Sequence, residues 1–385
     1  MTRDLEMQAR LMLHLTPGLG PKLTAALLQS FGSADRVLHA TADELCAVPR
    51  IGKETAAQMV ARWRHASIDE EWQRIESSQT QILLRGHISY PLPLLAIPDP
   101  PSLLYIQGEW QARDEQALAV VGSRQCTAYG RRVTARLVRE LVGNGFTIIS
   151  GLARGIDGAA HQAALEAGGR TIAVLAGGLG RIYPPEHAEL ALHIKAKGAL
   201  LSETPMSVAP LPEMFPKRNR LISGLCWGVL IVEAQAKSGA LITAEHALEQ
   251  GRDVFAIPGP IDSDASAGPL KLLKDGAILV RSIDDIMHHF EERLRTVRSS
   301  VSEASAVQTG PQTAATANAM PAWGPPPEEP RQKAIWEAVT QESLLVDDLI
   351  ERTQLSVAEV SQALLQLELA GRIRRLPGNR YERRS

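Results

Sequence analysis

The chain has 385 residues, 44% of them apolar, with 41 Lys and Arg against 43 Asp and Glu. That length supports two or three domains with real cores, and a formal net charge of −2 means that any nucleic-acid contact rests on a local cluster of cations. Cys46, Cys126 and Cys226 are far apart and form no C-x-x-C pair, which argues against a zinc knuckle or disulfide framework.

The N-terminus lacks the apolar core of a signal peptide, and no apolar run nears the roughly 18 residues needed to span a bilayer. The expectation is a soluble cytoplasmic protein with no membrane insertion.

Residues 1–78 carry a repeat: Pro17-Gly18-Leu19-Gly20-Pro21-Lys22 before one helical pattern and Pro49-Arg50-Ile51-Gly52-Lys53 before another. The repeat predicts paired helix-hairpin-helix units in a SAM-like helical domain. Their glycines permit tight turns whose N–H groups face outward at a helix start, where a phosphate can sit. The same helix pairs also serve as packing or protein-contact modules, so both readings stand.

From 79 to 297 the pattern becomes short β-branched runs alternating with helical stretches, as a Rossmann-like, doubly wound and mostly parallel α/β sheet requires. Strands are predicted at 118–121, 146–149, 171–175, 199–201, 229–232, 254–257 and 277–280. The preceding stretch, through Tyr90-Pro-Leu-Pro and Pro98-Asp-Pro-Pro, is proline-punctuated and is expected to wrap a sheet edge without continuing the sheet.

Residues 298–330 have a Ser, Thr, Ala, Gln and Pro composition that reads as a disordered linker. In 331–385, amphipathic helices at 332–341, 346–352 and 356–370 precede a two-stranded wing around Pro377-Gly378-Asn379, a winged-helix outline. The third helix has Glu359 and Glu368 but no Arg or Lys, whereas Arg372, Arg374, Arg375, Arg380, Arg383 and Arg384 lie in the wing and tail. Protein contact and backbone contact with DNA both fit this inventory.

Ligands of open parallel sheets bind beyond the carboxyl ends of the strands. There the chain places Gly122-Ser123-Arg124, Ser150-Gly151 with Arg154, Lys217-Arg218-Asn219-Arg220 at a predicted helix start, and Lys237-Ser238-Gly239 before another helix. Glycine and serine let N–H groups approach a phosphate while Arg and Lys neutralise it. Cations at a helix start are disfavoured by the macrodipole, which a bound anion would offset. The plainer alternative pairs these cations with Asp157, Glu203 and Glu233.

No complete G-x-G-x-x-G follows a strand, since Tyr183 stands in the third position after Gly178 and Gly180, and Gly52-Lys53 is followed by Glu54, which excludes a P-loop. No H-E-x-x-H or G-x-S-x-G occurs, and His161 reads as a packing or helix-orienting residue. Cations without a nucleophile predict binding without catalysis, cofactor or metal.

These residues together resemble the bacterial DNA-processing protein A (DprA/Smf) family over nearly the whole chain. The resemblance rests on Val121-Gly-Ser-Arg with Tyr129-Gly130, Ser150-Gly-Leu-Ala-Arg-Gly-Ile-Asp with Ala160-His161, Phe215-Pro-Lys-Arg-Asn-Arg-Leu-Ile-Ser-Gly-Leu, Val232-Glu-Ala, Ser238-Gly-Ala-Leu-Ile-Thr-Ala and Ile257-Pro-Gly. It implies a homodimer that binds and protects incoming single-stranded DNA and loads the RecA recombinase onto it during natural transformation. By the same resemblance the DNA contacts centre on Gly122 to Arg124, Lys217 to Arg220 and Lys237 to Gly239.

His187 stands where the family usually has Asn, and Gly268-Pro269-Leu270 departs from its usual pattern. A second reading is a nucleotide-binding hydrolase of the nucleoside-phosphate type. It fits less well, because Glu245 is displaced from the position such enzymes give a catalytic carboxylate.

Overall fold

The computed structural model describes residues 4–291, residue 294 and parts of 330–383, and the chain divides into two compact units, 1–300 and 301–385. Most of the segment expected to be a linker therefore lies outside the described residues.

Unit 1 opens with six helices, α1 (Leu5–His14), α2 (Pro21–Phe31), α3 (Ala34–His39), α4 (Ala42–Cys46), α5 (Lys53–Trp63) and α6 (Asp69–Ser77). The repeated hairpins take their predicted places: Gly20 and Gly52 are the N-caps of α2 and α5. Leu13, Leu27, Val37, Leu45 and Met59 pack between the helices, and buried Trp63 donates its indole N–H to Thr16 Oγ1 at 2.9 Å. The bundle is joined to the rest of the unit through Leu11 and Trp72, which pack with Tyr105 and Leu200, and through Glu71, whose carboxylate accepts from the Met206 N–H at 2.7 Å.

A nine-stranded sheet follows: β1 (Gln81–Leu84), β2 (Leu103–Gly108), β3 (Ala117–Val121), β4 (Thr147–Ser150), β5 (Thr171–Leu175), β6 (Ala199–Ser202), β7 (Gly228–Ile231), β8 (Asp253–Ala256) and β9 (Ile278–Leu279). Their order is β1-β2-β6-β5-β4-β3-β7-β8-β9, parallel from β6 to β9 and antiparallel at β6–β2 and β2–β1. All seven predicted strands are present as β3 to β9.

The expectation for the proline-punctuated stretch is corrected: β1 and β2 extend the sheet as an antiparallel pair. Pro91, Pro93, Pro98, Pro100 and Pro101 fall in the connection between these strands and remove no ladder hydrogen bond.

The helices between strands are α7 (Ala128–Gly143), α8 (Ile156–Glu166), α9 (Ala188–Lys197), α10 (Met214–Gly224), α11 (Gly239–Glu249) and α12 (Ala267–Lys274), and α13 (Ile283–His289) follows β9. Strand side chains alternate faces, and the central strands are apolar on both. Ala119, Val121, Val229 and Ile231 face Leu221, Ile222 and Ala244 of α10 and α11, whereas Leu118, Val120, Leu230 and Val232 face Leu137, Leu141, Ala160 and Ile286 of α7, α8 and α13. Burial on both faces explains why the strands read as continuous apolar runs.

Strand order reverses direction at β3, with β4 on one side and β7 on the other. This switch point opens a crevice at the carboxyl ends of β3 and β7.

Unit 2 contains the helix Pro330–Ala338 and an antiparallel sheet of β10 (Leu344–Leu345), β12 (Arg380–Arg383) and β11 (Ile373–Leu376), in that order. Ile335, Leu349, Val360, Leu364, Leu367, Ile373 and Tyr381 form its core. This is a winged-helix domain with one more short strand than predicted, β10. Parts of the predicted helices 346–352 and 356–370, the turn Pro377-Gly378-Asn379, and Arg372 and Arg384 lie outside the described residues.

Candidate functional site

A cleft of about 750 Å³ occupies the switch point, walled by the loop after β3, the start of α10, the first turns of α11 and the prolines Pro210 and Pro212. Val121 ends β3, and the chain turns outward through Gly122 and Ser123, half-buried, to Arg124, exposed. The turn is fixed by backbone bonds: the Ser123 N–H donates to Glu233 O at 2.6 Å, and Ser123 O accepts from the Ile156 N–H at 3.2 Å. A Cβ at Gly122 would stand 2.7 Å from Glu233 O, so only glycine permits this close approach of two loops.

Among the described residues Glu233, just after β7, pairs with no arginine. Its carboxylate accepts from the Thr127 N–H at 2.8 Å and the Thr127 hydroxyl at 2.5 Å, tying the α7 N-terminus to the loop after β7.

Arg124 is an exposed positive charge lining the cleft. Its guanidinium lies 4.8 Å over the Phe215 ring, and Phe215 meets Tyr183 edge-on at 6.0 Å. Cation and aromatics therefore form one exposed platform. On the opposite wall Ser238 is the N-cap of α11, accepting from the Ala240 N–H at 3.3 Å, and Gly239 begins a helix with no acidic residue in its first turn. Asn219 also borders the cleft and donates from Nδ2 to Gly239 O at 3.2 Å.

The run 217–220 divides by direction. Lys217 is exposed, whereas Arg218, Asn219 and Arg220 are buried. Because α10 starts at Met214, Arg218 and Arg220 lie beyond its first turn, which corrects the expectation that they crowd the helix start.

Arg218 forms the cleft floor: Nη1 donates to Gly151 O at 2.7 Å and to Val174 O. Burial lowers its pKa to about 10, with Asp157 raising it and Arg124 lowering it further, so it remains cationic at neutral pH. Asp157 is the cleft's one lining carboxylate among the described residues; its Oδ2 accepts from the Gly151 N–H at 3.1 Å and the Ala153 N–H at 3.4 Å. Burial raises its pKa, and Arg218 and these N–H groups act in the other direction.

Other predicted members are used internally. Arg220 pairs with Asp99 at 3.1 Å and Glu203 at 2.6 Å, outside the cleft lining. Ser150 is fully buried, its hydroxyl donating to Val120 O at 2.6 Å, and Gly151 packs against the Arg218 guanidinium. Arg154 is exposed but paired with Glu186. Lys237 is exposed beside the cleft, one residue before Ser238. The structure thus gathers Gly122, Ser123, Arg124, Arg218, Asn219, Ser238 and Gly239 around the cleft, leaves Lys217 and Lys237 exposed next to lining residues, and assigns Ser150, Gly151, Arg154 and Arg220 to intrachain bonds.

Sequence reasoning did not find the Asp99 partner of Arg220, the Thr127–Glu233 tie or the proline wall. Only the acidic partners leave a signal in sequence, as unpaired carboxylates, and it does not say which cation each meets.

His161 is completely buried, with Nδ1 and Thr171 Oγ1 2.6 Å apart. Thr171 donates its own proton to Ile148 O at 2.8 Å, so the imidazole is the donor in that contact. Burial lowers its pKa to about 3, holding the ring neutral. His187 Nδ1 donates to Leu152 O at 2.9 Å and its ring closes over Gly158. Pro269, third in α12, occupies a position whose N–H has no acceptor within the helix.

A doubly wound sheet with its cleft at the switch point, a helix-hairpin-helix bundle before it and a winged helix in the second unit define a multidomain Rossmann-like protein. The chain belongs to the DNA recombination-mediator protein A family, which residues 81–291 match; residues 11–65 match a SAM-like helix-hairpin-helix tandem and 318–379 the DprA winged helix domain.

It is 35% identical to Protein Smf of Synechocystis over 95% of this chain and 96% of that one, and 42% identical to Protein Smf of Escherichia coli over 84% and 82%. Among solved structures it is similar to DNA processing protein A of Streptococcus pneumoniae, with TM-score 0.64 and 33% identity over 73% of this chain and 97% of that one. A Helicobacter pylori DNA processing protein A, described for its single-stranded-DNA binding mode, gives TM-score 0.51 and 30% identity over 56% and 97%. Among the described residues no helix is long and apolar enough to cross a membrane.

Proposed function

We propose that the chain is a non-enzymatic recombination mediator. It grips the phosphates of single-stranded DNA in the switch-point cleft, protects incoming DNA as a cytoplasmic homodimer and loads the RecA recombinase onto it during natural transformation. One observation carries the binding reading: exposed Arg124 laid on Phe215, facing the first turn of α11 across a cleft floored by the buried cation Arg218. Cations beside a helix N-terminus suit phosphates, and the ring suits a stacked base. The strand-binding relative of Helicobacter pylori supports the same ligand.

The lining carboxylate, Asp157, is buried and engaged by two backbone N–H groups, which fits binding without turnover. Hydrolysis of a small nucleotide would need a carboxylate free to act on the ligand; Asp157 is buried and held by those N–H groups, and Glu245 lies exposed on α11 outside the cleft. Lys217 and Lys237 extend the phosphate path at the rim.

The test is a fluorescence-anisotropy titration of wild type, Arg124→Ala and Lys217→Ala/Lys237→Ala against single- and double-stranded oligonucleotides at two salt concentrations. Affinity for single strands should exceed that for duplex, fall with salt by roughly 0.7 log per log for each phosphate neutralised, and be lost in Arg124→Ala. Full affinity in well-folded Arg124→Ala would move the DNA site to the hairpins or the winged helix.

A further inference from the structure

The exposed face of α7 carries a second set of cations outside the cleft. Gly130, Thr134, Leu137, Val138 and Leu141 turn inward. At 3.6 residues per turn Tyr129, Arg132, Arg136 and Arg139 fall together on the opposite side, all exposed. From Tyr129 to Arg139 the helix rises about 15 Å.

We propose that single-stranded DNA leaving the cleft continues along this face, its phosphates held by Arg132, Arg136 and Arg139 and a base resting on Tyr129. The proposal rests on the reading that the cleft takes single-stranded DNA, and it names where the strand goes next.

Three observations favour it. The stripe starts a short way along the chain from the cleft: the α7 N-terminus follows the lining residues Arg124 and Gln125 by a short loop tied through Thr127 to Glu233, and Tyr129 donates its hydroxyl to Pro258 O at 3.2 Å. The cations are positioned without being neutralised. Arg136 donates to the carbonyl of Arg281 at 3.2 Å, and the Arg132 guanidinium lies 5.8 Å from the Tyr129 ring centre. Arg281 is itself cancelled by Asp285 at 2.8 Å, and among the described residues neither Glu140 on α7 nor Asp284 on α13 forms an ion pair with the stripe. Finally, arginines four and three residues apart on one face repel each other, a cost that a polyanion removes.

The test compares the full chain with Arg132→Gln/Arg136→Gln/Arg139→Gln, and with Arg124→Ala, on labelled oligothymidylates of about 6 and about 20 nucleotides. In the triple variant the short oligonucleotide should keep wild-type affinity within about twofold, while the long one weakens at least about tenfold and its log–log salt slope falls by roughly 2, near 0.7 for each of three phosphates. Arg124→Ala should weaken both lengths.

Wild-type affinity of the triple variant for the long oligonucleotide would overturn the proposal and leave the face to an acidic protein partner. Equal losses at both lengths would also overturn it, since the stripe would then not be a separate extension. Failure of Arg124→Ala to weaken either length would instead refute the cleft reading itself.

Discussion

Replacing Arg218 by methionine keeps most of the side-chain volume and removes the guanidinium from the cleft floor. That group is 7% exposed, bonds two backbone carbonyls, Gly151 O and Val174 O, and attracts the buried Asp157 carboxylate. Its loss strands both carbonyls and leaves the buried Asp157 carboxylate without its neighbouring cation; leaving a buried charge uncompensated costs about 3–5 kcal/mol. At roughly 2–4 °C per kcal/mol for a domain of this size, the thermal midpoint should fall by roughly 6–20 °C.

The pH dependence has a definite sign. Burial already raises the Asp157 pKa in the folded protein, and without Arg218 it rises further. A carboxylate raised on folding contributes stability that is present below the unfolded pKa, near 3.9, and is lost as pH rises through the folded value. The deficit of Arg218→Met relative to wild type should therefore be largest at neutral pH and shrink on acidification toward about pH 4.

Adding Asp157→Asn should recover much of the loss, since the amide oxygen can still accept from Gly151 and Ala153 without carrying charge. Scanning calorimetry of the single and double variants across this range decides the matter. A midpoint within about 2 °C of wild type, or a deficit that widens in acid, would refute the account of the floor.

Phe215→Ala removes the platform under Arg124, so single-strand affinity should weaken by about 1–3 kcal/mol in an anisotropy titration, with a far smaller change in thermal midpoint than Arg218→Met. His161→Asn tests the buried imidazole, whose lowered pKa of about 3 makes its contribution present above the unfolded value and lost as pH falls through about 6.5 toward 3. Relative to wild type, the variant's stability should gain about 1.4 kcal/mol per pH unit below about 6.5, read from denaturant melts; parallel pH profiles would show that His161 is not buried neutral.

Seven strands were legible because the sheet is covered on both faces, which forces runs such as Ala117–Val121 to be apolar throughout. The pair β1 and β2 was not, because the prolines of its long connection dominate the local signal while the strands themselves are only 4 and 6 residues long. The location of the cleft followed from strand-end chemistry. The direction of each cation did not: successive residues of α10 turn by about 100°, so one short run sends Lys217 to solvent, Arg218 beneath the cleft and Arg220 to Asp99 and Glu203. No pattern within that run marks which arginine meets which partner, since Asp99 and Glu203 lie far from it in sequence.

That division bears on what the cleft can do. A buried guanidinium locked onto Gly151 O and Val174 O cannot swing out to follow a ligand, yet its positive charge stays beneath any anion that enters. Exposed Arg124 can adjust to successive phosphates while Phe215 holds its plane. A buried, bonded cation below and an exposed one above favour negative charge in the cleft without specifying a reacting atom. Asp157, the carboxylate that lines the cleft, is buried and engaged by the N–H groups of Gly151 and Ala153. Such an arrangement suits a repeating polyanion that slides through successive registers better than a small nucleotide that must be held in one.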